Sequence, residues 1–254
     1  MRTPLIAANW KMHKAPKDAA AFLDAFLPEL HDQTGTEIAL FPSAVCLPGI
    51  IEAARGTRVS IGAQNMHWLS EGAYTGDISA PMLTAIGCTH ILIGHSERRQ
   101  YSGETDEQVN LKLKTALAHR LIPVVCIGEH LDKRQSSLTA AVLRWQLAAA
   151  LSGITPEQAA PIVIAYEPVW AIGTGVVATP DQAAEAHGII RHEVANLLGN
   201  IAAEKMRILY GGSVKPDNIA RLMSEPGIDG ALVGGASLDP ASFSQIVRNA
   251  TTAA

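Results

Sequence analysis

Eight short apolar segments recur along this chain, and stretches with the residue spacing of helices separate them. The segments are rich in β-branched residues and continuously apolar, which is typical of strands buried on both faces of a parallel sheet. They lie at 5–10, 37–41, 59–63, 90–94, 122–127, 162–166, 207–210 and 230–233. Eight strand–helix units in 254 residues predict a closed α/β barrel of the (β/α)8 type. An open doubly wound sheet is the alternative.

Capping residues predict where several helices begin. Thr179 precedes Pro180 and lies three residues before Gln182, which is the spacing of a capping box, and Thr105 and Gln108 repeat it. Further starts are predicted at Ala15-Pro16, Lys215-Pro216-Asp217 and Asp239-Pro240. No linker or composition shift divides the chain, so we expect one domain over residues 1–254.

Charge and cysteine usage narrow the class of protein. A net charge of −4 does not favour a nucleic-acid partner. Cys46, Cys88 and Cys126 are far apart in the sequence, which predicts neither disulfides nor a metal site and suggests a cytoplasmic protein. No apolar run approaches the roughly 20 residues that a membrane span requires, so we expect a soluble protein without a membrane partner.

Candidate functional residues lie where the predicted strands end, because the loops after those ends carry function in (β/α)8 barrels. Glu167 follows the sixth strand, and Pro168 keeps its backbone out of the helical region. Asn9 and Lys11 follow the first strand on one face of an extended segment. His95 follows the fourth strand at a predicted helix start, which favours a neutral imidazole.

Glycine pairs after the last two strands predict a phosphate site. Gly211-Gly212 precedes Ser213, and Gly234-Gly235 follows the eighth strand, so consecutive backbone N–H groups and one hydroxyl could face an anion. Gly173 and its neighbours, beyond Glu167, predict a flexible lid.

A carboxylate, an imidazole and an anion site together suit proton abstraction next to a carbonyl in a small phosphorylated substrate. Neither a cofactor nor a metal ion is expected, because no binding motif for either accompanies these residues. The sequence around Ser96 partly matches the nucleophile elbow of hydrolases, but Arg98 replaces its second glycine, which argues against that reading.

The chain resembles the triosephosphate isomerase family along nearly its whole length. The matching motifs are Asn9-Trp10-Lys11-Met12, Gly62-Ala63-Gln64-Asn65, Gly72-Ala73-Tyr74-Thr75-Gly76, the run from Gly94 to Arg99, Cys126-Ile127-Gly128-Glu129, the run from Tyr166 to Gly175, Tyr210-Gly211-Gly212-Ser213 and Gly234-Gly235.

This resemblance implies a cofactor-free isomerase that interconverts dihydroxyacetone phosphate and glyceraldehyde 3-phosphate. It implies Glu167 as the base, His95 as the electrophile and Lys11 with Asn9 as electrostatic partners. Further implied phosphate contacts come from Gly173, Ser213, Gly234 and Gly235.

The resemblance also implies a homodimer in which Thr75 of one subunit reaches toward Asn9 and Lys11 of the other. His13, Asp77 and Val176 depart from the residues commoner in the family. Two alternatives stay open at this point, namely an isomerase of a four-carbon sugar phosphate and a phosphate-binding barrel without catalysis.

Overall fold

The chain folds as a closed barrel of eight parallel strands in the computed structural model, which describes residues 2–30, 34–172 and 177–251. The strands are β1 (Leu5–Asn9), β2 (Glu37–Phe41), β3 (Val59–Ala63), β4 (His90–Ile93), β5 (Ile122–Ile127), β6 (Val163–Tyr166), β7 (Arg207–Tyr210) and β8 (Gly230–Val233). Each strand pairs with the next, and β8 pairs with β1 through Leu5 and Gly230. The predicted closed barrel is therefore confirmed, and the open sheet is excluded.

The strand predictions are accurate to one residue. Five ranges agree with the structure, whereas β1 ends at Asn9, β4 ends at Ile93 and β6 begins at Val163. Continuous apolar segments are easy to locate, because both faces of each strand are buried in a barrel wall.

Helices follow the strands around the outside of the barrel. They are α1 (Pro16–Phe26), α2 (Leu47–Ala53), α3 (Ala80–Ile86), α4 (Ser96–Ser102), α5 (Asp106–Ala118), α6 (Leu131–Gln135), α7 (Thr139–Ala150), α8 (Pro180–Leu198), α9 (Asn200–Lys205), α10 (Ile219–Met223) and α11 (Pro240–Thr251). None of the described helices is long and apolar enough to cross a membrane.

The predicted capping boxes are present. Thr105 and Gln108 exchange hydrogen bonds at the start of α5, and Thr179 and Gln182 do so at the start of α8. The helix start predicted at Lys215 is wrong, because α10 begins only at Ile219. The Asn218 side chain closes a local turn instead, accepting a hydrogen bond from Lys215 N at 2.8 Å and donating one to Ser213 O at 3.0 Å.

The core has two layers. One layer fills the space between the barrel wall and the helices, with Ile6, Phe22, Phe26 and Phe243 among its members. The other fills the barrel interior with Leu5, Ala7, Ala39, Phe41, Leu92, Val124, Cys126, Val163, Ala165, Leu209 and Leu232. Neighbouring strand residues thus point alternately into the two layers. Because apolar side chains fill both layers, polar side chains are left mainly at the strand ends, where a functional site can form.

One histidine is buried at the opposite end of the barrel, where β4 begins. His90 is only 3% exposed, and its Nδ1 lies 2.8 Å from the Thr89 hydroxyl. Its ring meets the edge of Phe41, and its Nε2 has no hydrogen-bond partner among the described residues. Burial, assisted by the charge of Arg207 and opposed by Glu37, lowers the pKa of His90 from 6.5 to about 4.

We predict that His90 makes the fold sensitive to acid. The unfolded chain binds a proton at this position near pH 6.5, whereas the folded chain does not until about pH 4. The stabilisation is present above pH 6.5 and is lost as the pH falls through that window, by about 2 kcal/mol between pH 7 and pH 5. Urea unfolding at several pH values should therefore show a shallower decline for His90→Leu than for the wild type.

The exposed His192 supplies the matched control, since its side chain contacts solvent in the folded and the unfolded chain. The variant His192→Leu should keep the wild-type slope. Equal slopes for His90→Leu and the wild type would contradict the assignment to His90.

Candidate active site

A cleft of about 390 Å³ opens at the carboxyl ends of the strands. It is lined by seven of the eight residues that the family resemblance implies for the site, namely Asn9, Lys11, His95, Glu167, Ser213, Gly234 and Gly235. The eighth, Gly173, lies outside the described residues. Residues from five different strand ends therefore converge on one space, as expected for a (β/α)8 barrel.

Glu167 is a buried carboxylate held by the segment that follows β4. Its side chain is 2% exposed, and its backbone N–H donates to Ile127 O at 2.7 Å. Ser96 donates to the two carboxylate oxygens from its backbone N–H at 2.9 Å and from its hydroxyl at 3.0 Å. His95 Nε2 lies 3.0 Å from the same carboxylate. A buried carboxylate requires such partners, so this network fixes the position of the group.

The hydrogen bonds of His95 determine which ring nitrogen carries the proton in a neutral imidazole. Nδ1 accepts a hydrogen bond from the backbone N–H of Glu97 at 3.2 Å, because His95 is the N-cap residue of α4. A nitrogen that accepts this bond carries no proton, so Nε2 is the N–H donor and points at Glu167. In this tautomer a neutral His95 offers Nε2–H to Glu167, and the neutral form itself stays a prediction.

Lys11 enters the cleft from an unusual backbone conformation. Its φ is +53°, in the left-handed region, and its N–H donates to Asn9 Oδ1 at 3.0 Å. Gln64 donates to Lys11 O at 2.9 Å, and Lys11 Nζ pairs with Glu97 Oε1 at 2.5 Å. Non-glycine residues adopt this conformation at a cost, which surrounding contacts must offset. Asn9 and Gln64 supply those contacts and direct the ammonium group into the site.

The two glycine pairs lie together at one end of the cleft, but they are not equivalent. The Gly211 N–H donates to Tyr166 O at 2.7 Å, so it is not available to an anion, contrary to the sequence prediction for that pair. Gly234 precedes a short 3-10 helix, Gly235–Leu238, whose first N–H groups lack partners within the helix. A Cβ atom added to Gly234 would lie 3.5 Å from Lys11 Cε, so this pair is close to the ammonium group.

Sequence reasoning gave no role to two carboxylates, and it rejected a nucleophilic role for Ser96 without finding its role as a donor. Ser96 is a hydrogen-bond donor to Glu167, and Glu97 is the partner of Lys11. Glu129 is fully buried after β5 and accepts from Tyr166 Oη at 3.1 Å and from Trp170 Nε1 at 3.0 Å. Its position at a strand end was a usable signal, since the same signal identified Glu167.

Burial also fixes the protonation of two neighbours. It raises the pKa of the Cys126 thiol well above its usual value, and the charge of Glu167 adds to this effect. Burial and the charge of Glu129 likewise raise the pKa of Tyr166. The Cys126 thiol and the Tyr166 hydroxyl therefore stay neutral. Within the described residues, no cluster of His, Cys, Asp and Glu could hold a metal ion.

Gly128 permits the close approach of β5 to the backbone of Glu167. A Cβ atom at this position would lie 1.7 Å from Glu167 O, which is inside the van der Waals contact distance. The Gly128 N–H donates a hydrogen bond to the Gln146 side-chain oxygen at 2.8 Å, which anchors this loop to α7. The backbone of the carboxylate is thus held by a contact that only glycine allows.

The fold and this cleft are those of a barrel enzyme whose site combines a buried carboxylate, an imidazole donor and an ammonium group. A sequence model of the triosephosphate isomerase family matches residues 4–250, and the chain belongs to this family. Membership makes it an isomerase that interconverts an aldose and a ketose. The resemblance seen in the sequence is confirmed.

Curated relatives agree over almost the full length. The triosephosphate isomerase of Citrifermentans bemidjiense is 54% identical over 248 residues, covering 98% of this chain and 99% of the relative. That of Solibacter usitatus is 52% identical and covers 98% and 100%. That of Symbiobacterium thermophilum is 51% identical and covers 100% and 99%.

We predict that Gly128→Ala lowers the free energy of unfolding by about 3 kcal/mol, because the strand ends must separate to admit the methyl group. The matched control is Gly188→Ala in α8, where an added Cβ meets open space. That variant should be neutral or more stable by about 0.5–1 kcal/mol, since alanine favours helix more than glycine does. Urea unfolding of both variants measures this difference, and equal effects would contradict the close-approach argument.

Proposed function

We propose that this protein interconverts dihydroxyacetone phosphate and D-glyceraldehyde 3-phosphate through an enediolate intermediate. In this proposal Glu167 removes a proton from one carbon and returns it to the neighbouring carbon. His95 Nε2–H and Lys11 stabilise the negative charge that develops on the substrate oxygens, and Asn9 lies beside them. No cofactor takes part.

One observation carries the proposal, namely the 3.0 Å contact between His95 Nε2 and Glu167 in a cleft that also contains Lys11 and the Gly234 pair. A base and a hydrogen-bond donor this close can act on adjacent atoms of one small molecule. A binding protein for a phosphate needs neither group, so the arrangement favours catalysis over the non-catalytic alternative.

Substrate binding must change the hydrogen bonds of Glu167. His95 Nε2–H cannot serve a substrate carbonyl while it donates to the carboxylate, so the carbonyl replaces Glu167 on that donor. The carboxylate then loses its hydrogen bond from His95, keeps those from Ser96 and is freed to approach a substrate C–H. Interactions with the substrate phosphate supply the free energy for this exchange.

The phosphate end of the cleft consists of Ser213, Gly234 and Gly235 in this proposal, and Lys11 adds positive charge nearby. Gly173 would contact the phosphate from the lid. Before the proposed lid, Glu129 accepts a hydrogen bond from Trp170, and this bond anchors the segment from which the lid would close. Closure would exclude water and protect the enediolate phosphate.

We also propose that two copies associate beside the active cleft. A second cleft of about 440 Å³ shares Asn9, Lys11 and His95 with the first. Met12 and Tyr101 line this cleft with 95% and 77% of their surfaces exposed, and Val45, next in sequence to the lining residue Ala44, is 72% exposed. Exposed apolar groups of this size next to a cleft favour a protein partner.

The loop that would enter this cleft is stiffened by ring stacking. Tyr74 stacks on His67 with ring centres 4.0 Å apart, and His67 stacks on Trp68 at 4.1 Å. Thr75 follows at the exposed tip. We propose that Thr75 of one subunit approaches Asn9 and Lys11 of the other.

The cytoplasmic location stays a prediction, supported by three buried cysteines that form no disulfide.

We predict that Glu167→Asp lowers kcat about 100-fold, because shortening the side chain moves the carboxylate by about 1 Å. A coupled assay in both directions measures the rates, and Glu157→Asp on an exposed turn is the matched control with unchanged rates. An inactive wild type, or equal rates for Glu167→Asp and the wild type, would refute the proposal.

Comparing kcat/KM on three- and four-carbon sugar phosphates decides between the two substrate classes.

We predict that Thr75→Arg prevents association, because a bulky charge would enter the partner's cleft beside Lys11. Light scattering after size-exclusion chromatography should show a dimer for the wild type and a monomer with reduced activity for the variant. Thr3→Arg, an exposed change at the other end of the barrel, should remain dimeric. A monomeric wild type would refute the dimer without affecting the assignment of the base.

A further inference from the structure

The peptide groups on both sides of Gly94, directly before His95, are held by charged side chains. The Gly94 N–H donates to Glu104 Oε1 at 3.3 Å, and the Gly94 carbonyl accepts from Arg99 Nε at 2.7 Å. Glu104 is itself buried and paired with Lys112 Nζ at 3.0 Å. The backbone that leads into the imidazole is therefore fixed on both sides.

Arg99 connects this backbone to two further elements. One terminal nitrogen donates to Cys126 O in β5 at 3.3 Å, and the other pairs with Asp106 at the start of α5 at 2.5 Å. In the pairing of β5 with β6, Cys126 lies opposite Ala165, and Ala165 is two residues before Glu167 in the sequence. One guanidinium thus joins the approach to His95 with the strand that borders the Glu167 strand.

We propose that Arg99 is a positioning residue that sets the orientation of the His95 imidazole toward Glu167 and the substrate. This inference rests on the function proposed above. Arg99 does not touch the cleft, and it acts through the Gly94 carbonyl. The planar fork of arginine reaches two carbonyls and a carboxylate together, which the single ammonium of lysine cannot do.

Gly94 fits this role because it leaves space for the fork. Its φ is +73°, and a Cβ atom there would lie 3.0 Å from the Arg99 guanidinium and 3.2 Å from Cys126 O. A side chain at this position would displace the contact that Arg99 makes across the loop. The glycine and the arginine therefore form one device for placing residue 95.

The first test compares Arg99→Lys with a structural arginine. Arg191 bonds the carbonyls of Ala203 and Met206 and pairs with Asp229, so it makes a similar set of contacts away from the site. We expect Arg99→Lys to lower kcat about 10- to 100-fold with KM changed less than about threefold, because the donor is misplaced in the transition state. Arg191→Lys should lose stability and keep its kcat.

Added guanidinium should restore part of the kcat of Arg99→Ala and leave that of Arg99→Lys unchanged, since only the smaller side chain leaves room for it. An unchanged kcat in Arg99→Lys, or an equal loss in Arg191→Lys, would overturn the proposal.

The second test does not depend on activity. ¹⁵N NMR of the imidazole should show a protonated Nε2 and an accepting Nδ1 for His95 in the wild type. In Arg99→Lys the Nε2–H signal should shift and exchange faster with solvent, while Arg191→Lys keeps the wild-type signal. An unchanged signal in Arg99→Lys would overturn the positioning role, even if the wild type proved inactive as an isomerase.

Discussion

The arrangement of this site depends on burying the Glu167 carboxylate. An ionised group removed from water is tolerated only when donors replace its hydration, and each unsatisfied buried group costs about 1–3 kcal/mol. Among the described residues, two consecutive ones, His95 and Ser96, supply donors at 2.9–3.0 Å from this carboxylate. In the proposed mechanism, the same short segment therefore stabilises the Glu167 carboxylate before reaction and supplies the hydrogen-bond donor for the substrate.

Barrel closure makes this arrangement possible. Glu167 follows β6 and His95 follows β4, so one strand, β5, separates them in the wall. The end of β5 contacts the segments on both sides. Gly128, directly after β5, touches the backbone of Glu167, and Cys126 O in β5 accepts a hydrogen bond from Arg99 in α4. A small rotation of β5 would change the distance between base and donor, and several polar contacts oppose such a rotation.

Much of the fold and part of the site were accessible from the sequence. Strand positions, capping boxes and the residues at strand ends are encoded by local spacing, so Glu167, His95 and Lys11 could be selected before their partners were known. The hydrogen bonds that Ser96 donates to Glu167 span 71 positions in the chain, and nothing local encodes them. The use of the Gly211 N–H by Tyr166 likewise depends on how β6 and β7 meet. Asn218 delayed α10 because a side-chain hydrogen bond competed with helix formation.

His90, which we predict makes the fold sensitive to acid, and the residues proposed to perform the chemistry lie at opposite ends of the barrel. His90 lies at the start of β4, and His95 follows the end of the same strand. Strand β4 thus separates a structural histidine from one that we propose is functional, although the two are only five positions apart in the sequence. The contribution of His90 to acid tolerance can accordingly change among proteins that share this barrel without altering the residues of the candidate site.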